Sequence, residues 1–171
     1  MKNRRKRGFT FVETLVSLLI VTLLSMAVMT GIRVAWSAHE NALFSSESEI
    51  LADTINTSLG DLLHYASYDQ TESDGTIQFS SQEYGVLKGC IYINKGRLYV
   101  KTSSEENAGQ LRLVNEGAYT SIDIDAFQIS YDSEKNQFTG SYTLKGSQMQ
   151  TKEITFTFES INQPAVIQNN S

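Results

Sequence analysis

Residues 9–32 read FTFVETLVSLLIVTLLSMAVMTGI, 24 residues that carry a single charge, Glu13. As an α-helix this run is about 36 Å long, enough to cross a bilayer core with some tilt. Before it stand Lys2, Arg4, Arg5, Lys6 and Arg7, with no acid among residues 1–8. Basic residues flanking an apolar span stay on the cytoplasmic side, so the N-terminus is expected in the cytoplasm and the body of the chain outside.

Three readings compete for this segment. A secretory signal peptide has a shorter apolar core and a small-x-small cleavage site. Here the run is longer, and Arg33-Val34-Ala35-Trp36 follows it. A plain membrane anchor fits the length and the charge bias but leaves Glu13 without a reason. A carboxylate near the end of such a helix snorkels towards the headgroups, or it pairs with a positive group that another protein supplies.

The string Arg-Lys-Arg-Gly-Phe-Thr-Phe-Val-Glu-Thr-Leu-Val-Ser-Leu-Leu-Ile, residues 5–20, closely resembles the N-terminus of type IV prepilins and pseudopilins. The resemblance covers about 25 of the 171 residues and needs leader, glycine, phenylalanine, glutamate spacing and apolar run together. It implies cleavage between Gly8 and Phe9 by a prepilin peptidase, N-methylation of Phe9, and Glu13 as the fifth mature residue. The implied partners are that peptidase/methyltransferase, other pilin or pseudopilin subunits, the pilus assembly platform in the membrane, and lipid before assembly. Glu13 of an incoming subunit would pair with the α-amino group that cleavage creates on a neighbour's Phe9. That amine is positive at neutral pH, its ordinary pKa being about 7.7–8.0. Many major pilins carry a proline in the membrane helix and a cysteine pair near the C-terminus. This chain has neither, which the resemblance ties to a minor subunit. The rival reading is a single-span anchored protein whose outer domain binds a partner without entering a filament.

Helical periodicity continues past Ile32, with Leu51, Ile55, Leu59 and Leu62 on one face. One helix is expected from about Thr10 to Tyr65, with a bend or break where Asn56, Thr57, Ser58 and Gly60 lower helix propensity. Glu40, Glu47, Glu49 and Asp53 are expected on its solvated face. Beyond a polar loop at 69–75, strand-like runs occupy 76–80, 84–94, 97–102, 111–114, 121–131, 137–144 and 151–159. Asn94-Lys95-Gly96-Arg97 between two apolar strands is a hairpin signal. The apolar alternation slips near Ala126, as a β-bulge would make it.

The expected fold is therefore α+β and pilin-like: a long helix, membrane-spanning in its first half, packed in its second half against an antiparallel sheet. The segments expected are a basic leader (1–8), a transmembrane and filament-core helix (9–32), an amphipathic continuation (33–66), a β-rich domain (67–161) and a flexible tail (162–171).

Composition narrows the chemistry. Of 14 Lys+Arg, five precede Gly8, leaving nine against 19 Asp+Glu and a balance of -10 from Phe9 onward. Such a body repels phosphate backbones, so no nucleic-acid contact is expected. Cys90, the only cysteine, excludes an intrachain disulfide and is read as a small buried core residue. His39 and His64 have no neighbouring ligands that complete a metal set, and Asp69, Glu72, Asp74 and Gly75 lack the carboxylate spacing of a calcium loop. Neither a phosphate-binding glycine loop nor a nucleophile elbow is present. No enzyme, metal or cofactor is expected.

Overall fold

The computed structural model describes residues 10–103 and 109–162. The chain divides into two units, one up to Leu43 and one from Phe44 on. The helix α1 (Phe11–His64) supplies the described structure of the first unit almost entirely and opens the second.

In the first unit every residue from Thr10 to His39 is exposed. By length and composition α1 is able to cross a membrane. Its hydroxyls are already satisfied: Thr14, Ser17, Thr22, Ser25 and Thr30 each donate to a carbonyl three or four residues back, at 2.7–2.9 Å in their shortest bonds. Hydroxyls bonded to their own helix need no water, so these polar side chains are compatible with lipid.

In the second unit α1 runs without a break through the stretch where a bend was expected. Tertiary bonding outweighs the weak local propensity there. Asn56 Oδ1 accepts from the Tyr142 hydroxyl at 3.0 Å, and Thr57 and Ser58 bond back to the helix. Gly60 makes room for the Phe158 ring, which a Cβ would meet at 3.1 Å. The stripe expected from periodicity is the buried one: Leu51, Ile55, Leu59, Leu62 and Leu63 are all sealed from solvent.

Eight strands follow, β1 (Ser67–Thr71), β2 (Ile77–Ser81), β3 (Val86–Asn94), β4 (Arg97–Lys101), β5 (Gln110–Arg112), β6 (Ile122–Asp132), β7 (Gln137–Gly146) and β8 (Thr151–Glu159). They form two antiparallel meanders, β1-β2-β3-β4-β5 and β6-β7-β8, where one sheet was expected. Both meanders line the core with the α1 stripe: Phe79 of β2 meets Phe138 of β7 edge-on at 6.5 Å, and the Tyr142 hydroxyl donates to the Ala52 carbonyl at 3.1 Å.

The β3–β4 hairpin turns as read, with Asn94 opposite Arg97 and Lys95 and Gly96 both at positive φ (50° and 72°). That pair of left-handed residues is the type I′ geometry that Gly tolerates best. The slip near Ala126 is a register shift between Ile124 and Ala126 in the β6–β7 pairing.

Strand β1 was read as part of a loop, because Asp69, Gln70 and Thr71 lack apolar alternation. It forms through polar cross-strand pairs: Gln70 Nε2 donates to Gln78 at 3.1 Å and Ser80 Oγ to Asp69 at 3.1 Å. The loop itself shrinks to the turn between Glu72 and Thr76, closed by the Glu72 N–H on the Thr76 carbonyl at 2.9 Å.

The end of α1 is tied to the end of β8. The Ile161 N–H donates to the His64 carbonyl at 3.0 Å, Asn162 Nδ2 to the Tyr65 carbonyl at 2.7 Å, and Ser160 Oγ to the Ala66 carbonyl. Carbonyls at and just past the last helical turn thus find donors. Bonds from Gly146 N to Gln150 O and from Ser160 N to Asn136 O put the even-numbered residues of β8 in bonded pairs with β7. The Glu159 carbonyl then points off the sheet edge. His64 Nδ1 lies 3.0 Å from it, and because a carbonyl only accepts, this nitrogen carries the proton. Asn162, expected in a flexible tail, is thereby held. Residues 163–171 lie outside the described residues.

Candidate functional site: the first turn of the N-terminal helix

Thr10 and Glu13 open α1. The Thr10 N–H and hydroxyl both donate to Glu13 Oε2, at 2.8 and 3.0 Å, and the Glu13 N–H donates to Thr10 Oγ1 at 3.3 Å. This is a capping box, Thr-x-x-Glu, in which each side chain satisfies the other residue's free backbone donor. The single charge in the apolar run points only to a partner or to headgroups for Glu13. The signal missed, threonine three residues before glutamate ahead of an apolar run, stands in the residues themselves.

Among the described residues nothing covers the apolar surface around that first turn. Phe11 is 79% exposed and Val12 66%. Leu15, Val16, Leu18, Leu19 and Ile20 continue it at every azimuth of the helix. A contiguous apolar surface of this extent on a chain needs lipid or protein around it. Glu13 is the one ionisable side chain within it, so in either medium its carboxylate is the polar group whose environment matters most. Gly8 and Phe9, named for cleavage and methylation, lie outside the described residues.

Further along, Trp36 Nε1 donates to Glu40 at 2.7 Å, one turn beyond the end of the apolar run. A tryptophan with a satisfied N–H at that place suits a membrane–water interface.

The other side chains singled out from the sequence are placed by the second unit. Cys90 is half-buried on β3, not in the core. Strand alternation turns its neighbour Ile91 inward, and Cys90 faces the other way beside Lys101 across the sheet. Burial raises its thiol above the ordinary range. Glu47 is not simply a solvated acid: it accepts from Ser121 Oγ at 2.8 Å and Thr120 Oγ1 at 3.3 Å, holding the loop before β6 to α1. Asp69, Glu72 and Asp74 are spent on Ser80, Gln78 and the Thr76 N–H. Among the described residues no three His, Cys, Asp or Glu side chains converge on a common point suited to a metal.

Residues 3–29 match the prokaryotic N-terminal methylation motif, the signature of type IV prepilin- and pseudopilin-like proteins. The motif supports a type IV pilin-like protein processed at its N-terminus. The proteins it marks are structural, not enzymatic. No curated protein and no solved structure matches the chain.

Proposed function

We propose that this chain is a structural subunit, and a minor one, of a type IV pilus or pseudopilus. A prepilin peptidase cuts between Gly8 and Phe9, Phe9 is N-methylated, and the mature chain waits in the membrane with its N-terminus on the cytoplasmic side. It then enters the filament through α1, helped by the assembly platform and by other subunits.

The observation that carries this reading is the coincidence of two independent facts. The methylation motif spans residues 3–29, and from Phe11 onward its residues form a helix with no described residue buried before Glu40. An apolar helix with no described residue of its own chain packed on it is suited to exchanging lipid for neighbouring helices. Within that exchange Glu13 pairs with a neighbour's α-amino group. Such pairing compensates two charges in an apolar surround and fixes axial register, the best-attested use of a buried polar pair. The outer unit folds around its own core and supplies the surface that the filament displays.

The test is the intact mass of the protein recovered from cells that hold its own assembly machinery. A species that starts at Phe9 and is heavier by one methyl group is expected. A mass that retains residues 1–8 would overturn the proposal in favour of a permanent single-span anchor.

A further inference from the structure

The outer unit has a pocket that the filament reading does not use. It encloses about 500 Å³ and is lined by Tyr65, Ser67, Ser80, Gln82, Glu83 and Asn162. That is the size range of small-molecule sites. Its walls come from the residues that follow α1, from the cross-strand pair Ser67–Ser80, and from the turn between β2 and β3. Five of the six lining side chains are uncharged polar groups and the sixth is a carboxylate. With no lysine, arginine or histidine among the described lining residues, an anionic ligand finds no counter-charge from them.

Several of these polar groups are already oriented. Ser80 Oγ spends its proton on Asp69 Oδ1 at 3.1 Å, which leaves its lone pairs for an incoming donor. Behind it Asp69 Oδ2 is buried with no partner among the described residues. Asn162 spends Nδ2 on the Tyr65 carbonyl, which fixes the amide and leaves Oδ1 as an acceptor. Gln82 and Glu83 ride on a tight turn closed by the Gly85 N–H on the Gln82 carbonyl at 3.2 Å, with Gly85 at φ +63°. Tyr65, 42% exposed, adds an aromatic surface steadied edge-on by His64 at 5.1 Å.

We propose that this pocket binds a neutral, hydroxyl-rich ligand of the carbohydrate class. Sugar hydroxyls are donors and acceptors at once, and the wall supplies both. Ser80 Oγ, Asn162 Oδ1 and Glu83 accept, while Gln82 Nε2 and the Tyr65 hydroxyl donate. The C–H face of a sugar ring covers the Tyr65 ring, which offers an apolar body beside a polar tip. A simple ammonium ligand would use the acceptors and leave Gln82 unanswered. The inference does not depend on filament entry, since a permanently anchored chain would carry the same pocket.

Saturation-transfer NMR on the full chain in a zwitterionic detergent, where no sugar headgroup competes, tests it. The probes are a panel of free monosaccharides and disaccharides at millimolar concentration, with putrescine as the cationic comparison. At least one sugar is expected to take up saturation while putrescine does not. The double variant Gln82→Ala, Glu83→Ala, on an exposed turn, should weaken that sugar about tenfold or more, as the loss of two polar contacts does. Tyr65→Leu, which removes the aromatic face, should weaken it as well, and Thr157→Ala, outside the pocket, should not. Silence from every sugar, binding of putrescine alone, or sugar binding unchanged in both pocket variants would overturn the proposal.

Discussion

Thr10 and Glu13 satisfy each other at the start of α1, with the Glu13 carboxylate 2.8 Å from the Thr10 N–H and 3.0 Å from its hydroxyl. The carboxylate is therefore pre-placed in the first turn of α1. One capping oxygen, Oε2, takes both Thr10 bonds, and among the described residues Oε1 accepts none.

This separates two roles of Glu13 by experiment. If its function is intersubunit pairing, Glu13→Ala and Glu13→Gln should each cut incorporation into sheared filaments by more than about tenfold, because removing one partner strands the other's charge. Thr10→Val removes the cap alone and should leave incorporation within about twofold, a cap being a modest local contribution. The measurement is the filament-to-membrane ratio of the protein by quantitative immunoblot. Equal losses in Thr10→Val and Glu13→Gln would show that the cap, not the pairing, is what assembly needs.

Tyr142 is sealed in the core of the outer unit, and its hydroxyl reaches both the Ala52 carbonyl and Asn56 Oδ1. These bonds join β7 to α1. Tyr142→Phe keeps the ring but removes the hydroxyl's bonds to Ala52 and Asn56, a loss of about 1 kcal/mol. Urea unfolding of the outer unit should show a lower midpoint with an unchanged slope. Burial raises the Tyr142 phenol well above its ordinary range, so the hydroxyl stays a donor through any pH at which the fold survives.

Two glycines give opposite expectations for the same substitution. At Gly140 in β7 a Cβ would lie 2.2 Å from the Gln128 carbonyl oxygen and 2.6 Å from the Phe156 ring, so backbone as well as side chain must move. Gly140→Ala should therefore cost about 2 kcal/mol or more, in the range of overpacked cores. At Gly60 a Cβ would meet only the Phe158 ring, at 3.1 Å. There alanine gains about 1 kcal/mol of helix propensity against a ring that is able to shift, so Gly60→Ala should be close to neutral. Thermal unfolding of the two variants side by side decides both.

How far these features were legible depended on whether they rest on periodicity or on distant polar pairs. The stripe Leu51, Ile55, Leu59, Leu62 follows from a 3.6-residue period, and the Asn94–Arg97 hairpin and the slip at Ala126 from a period of two. Each is a local regularity that apolar burial enforces. Strand β1 has no such regularity: Gln70 and Gln78, eight residues apart, meet only across the β1–β2 pairing. The tie from Ser160–Asn162 to the end of α1 spans more than ninety residues of sequence and leaves no pattern in either segment. Cys90 was misplaced because Gly-Cys-Ile-Tyr-Ile is apolar throughout, and only the pairing register shows that Ile91 has the inward position. The candidate site divides likewise. The spacing of Gly8, Phe9 and Glu13 is linear information, and the capping box was equally linear but went unread.

Asp69 provides a pH-dependent expectation with a definite sign. Burial raises its carboxyl above the ordinary value of 3.8, against the opposing hydrogen bond from Ser80 and the charge of Lys88. A raised native pKa means the folded state holds this proton more tightly than the unfolded chain does, so stability falls as pH rises through the interval between the two values. The contribution of Asp69 is thus most favourable below pH 3.8 and is lost once the native carboxyl ionises. Asp69→Asn keeps an acceptor for Ser80 without the buried charge. The variant should be more stable than the parent at pH 7, with the difference shrinking towards pH 4 and gone near pH 3. Urea midpoints for the two proteins across that range measure it. A difference that stays constant with pH would mean that Asp69 is hydrated and that the β1–β2 end of the sheet is more open than its orphaned Oδ2 implies.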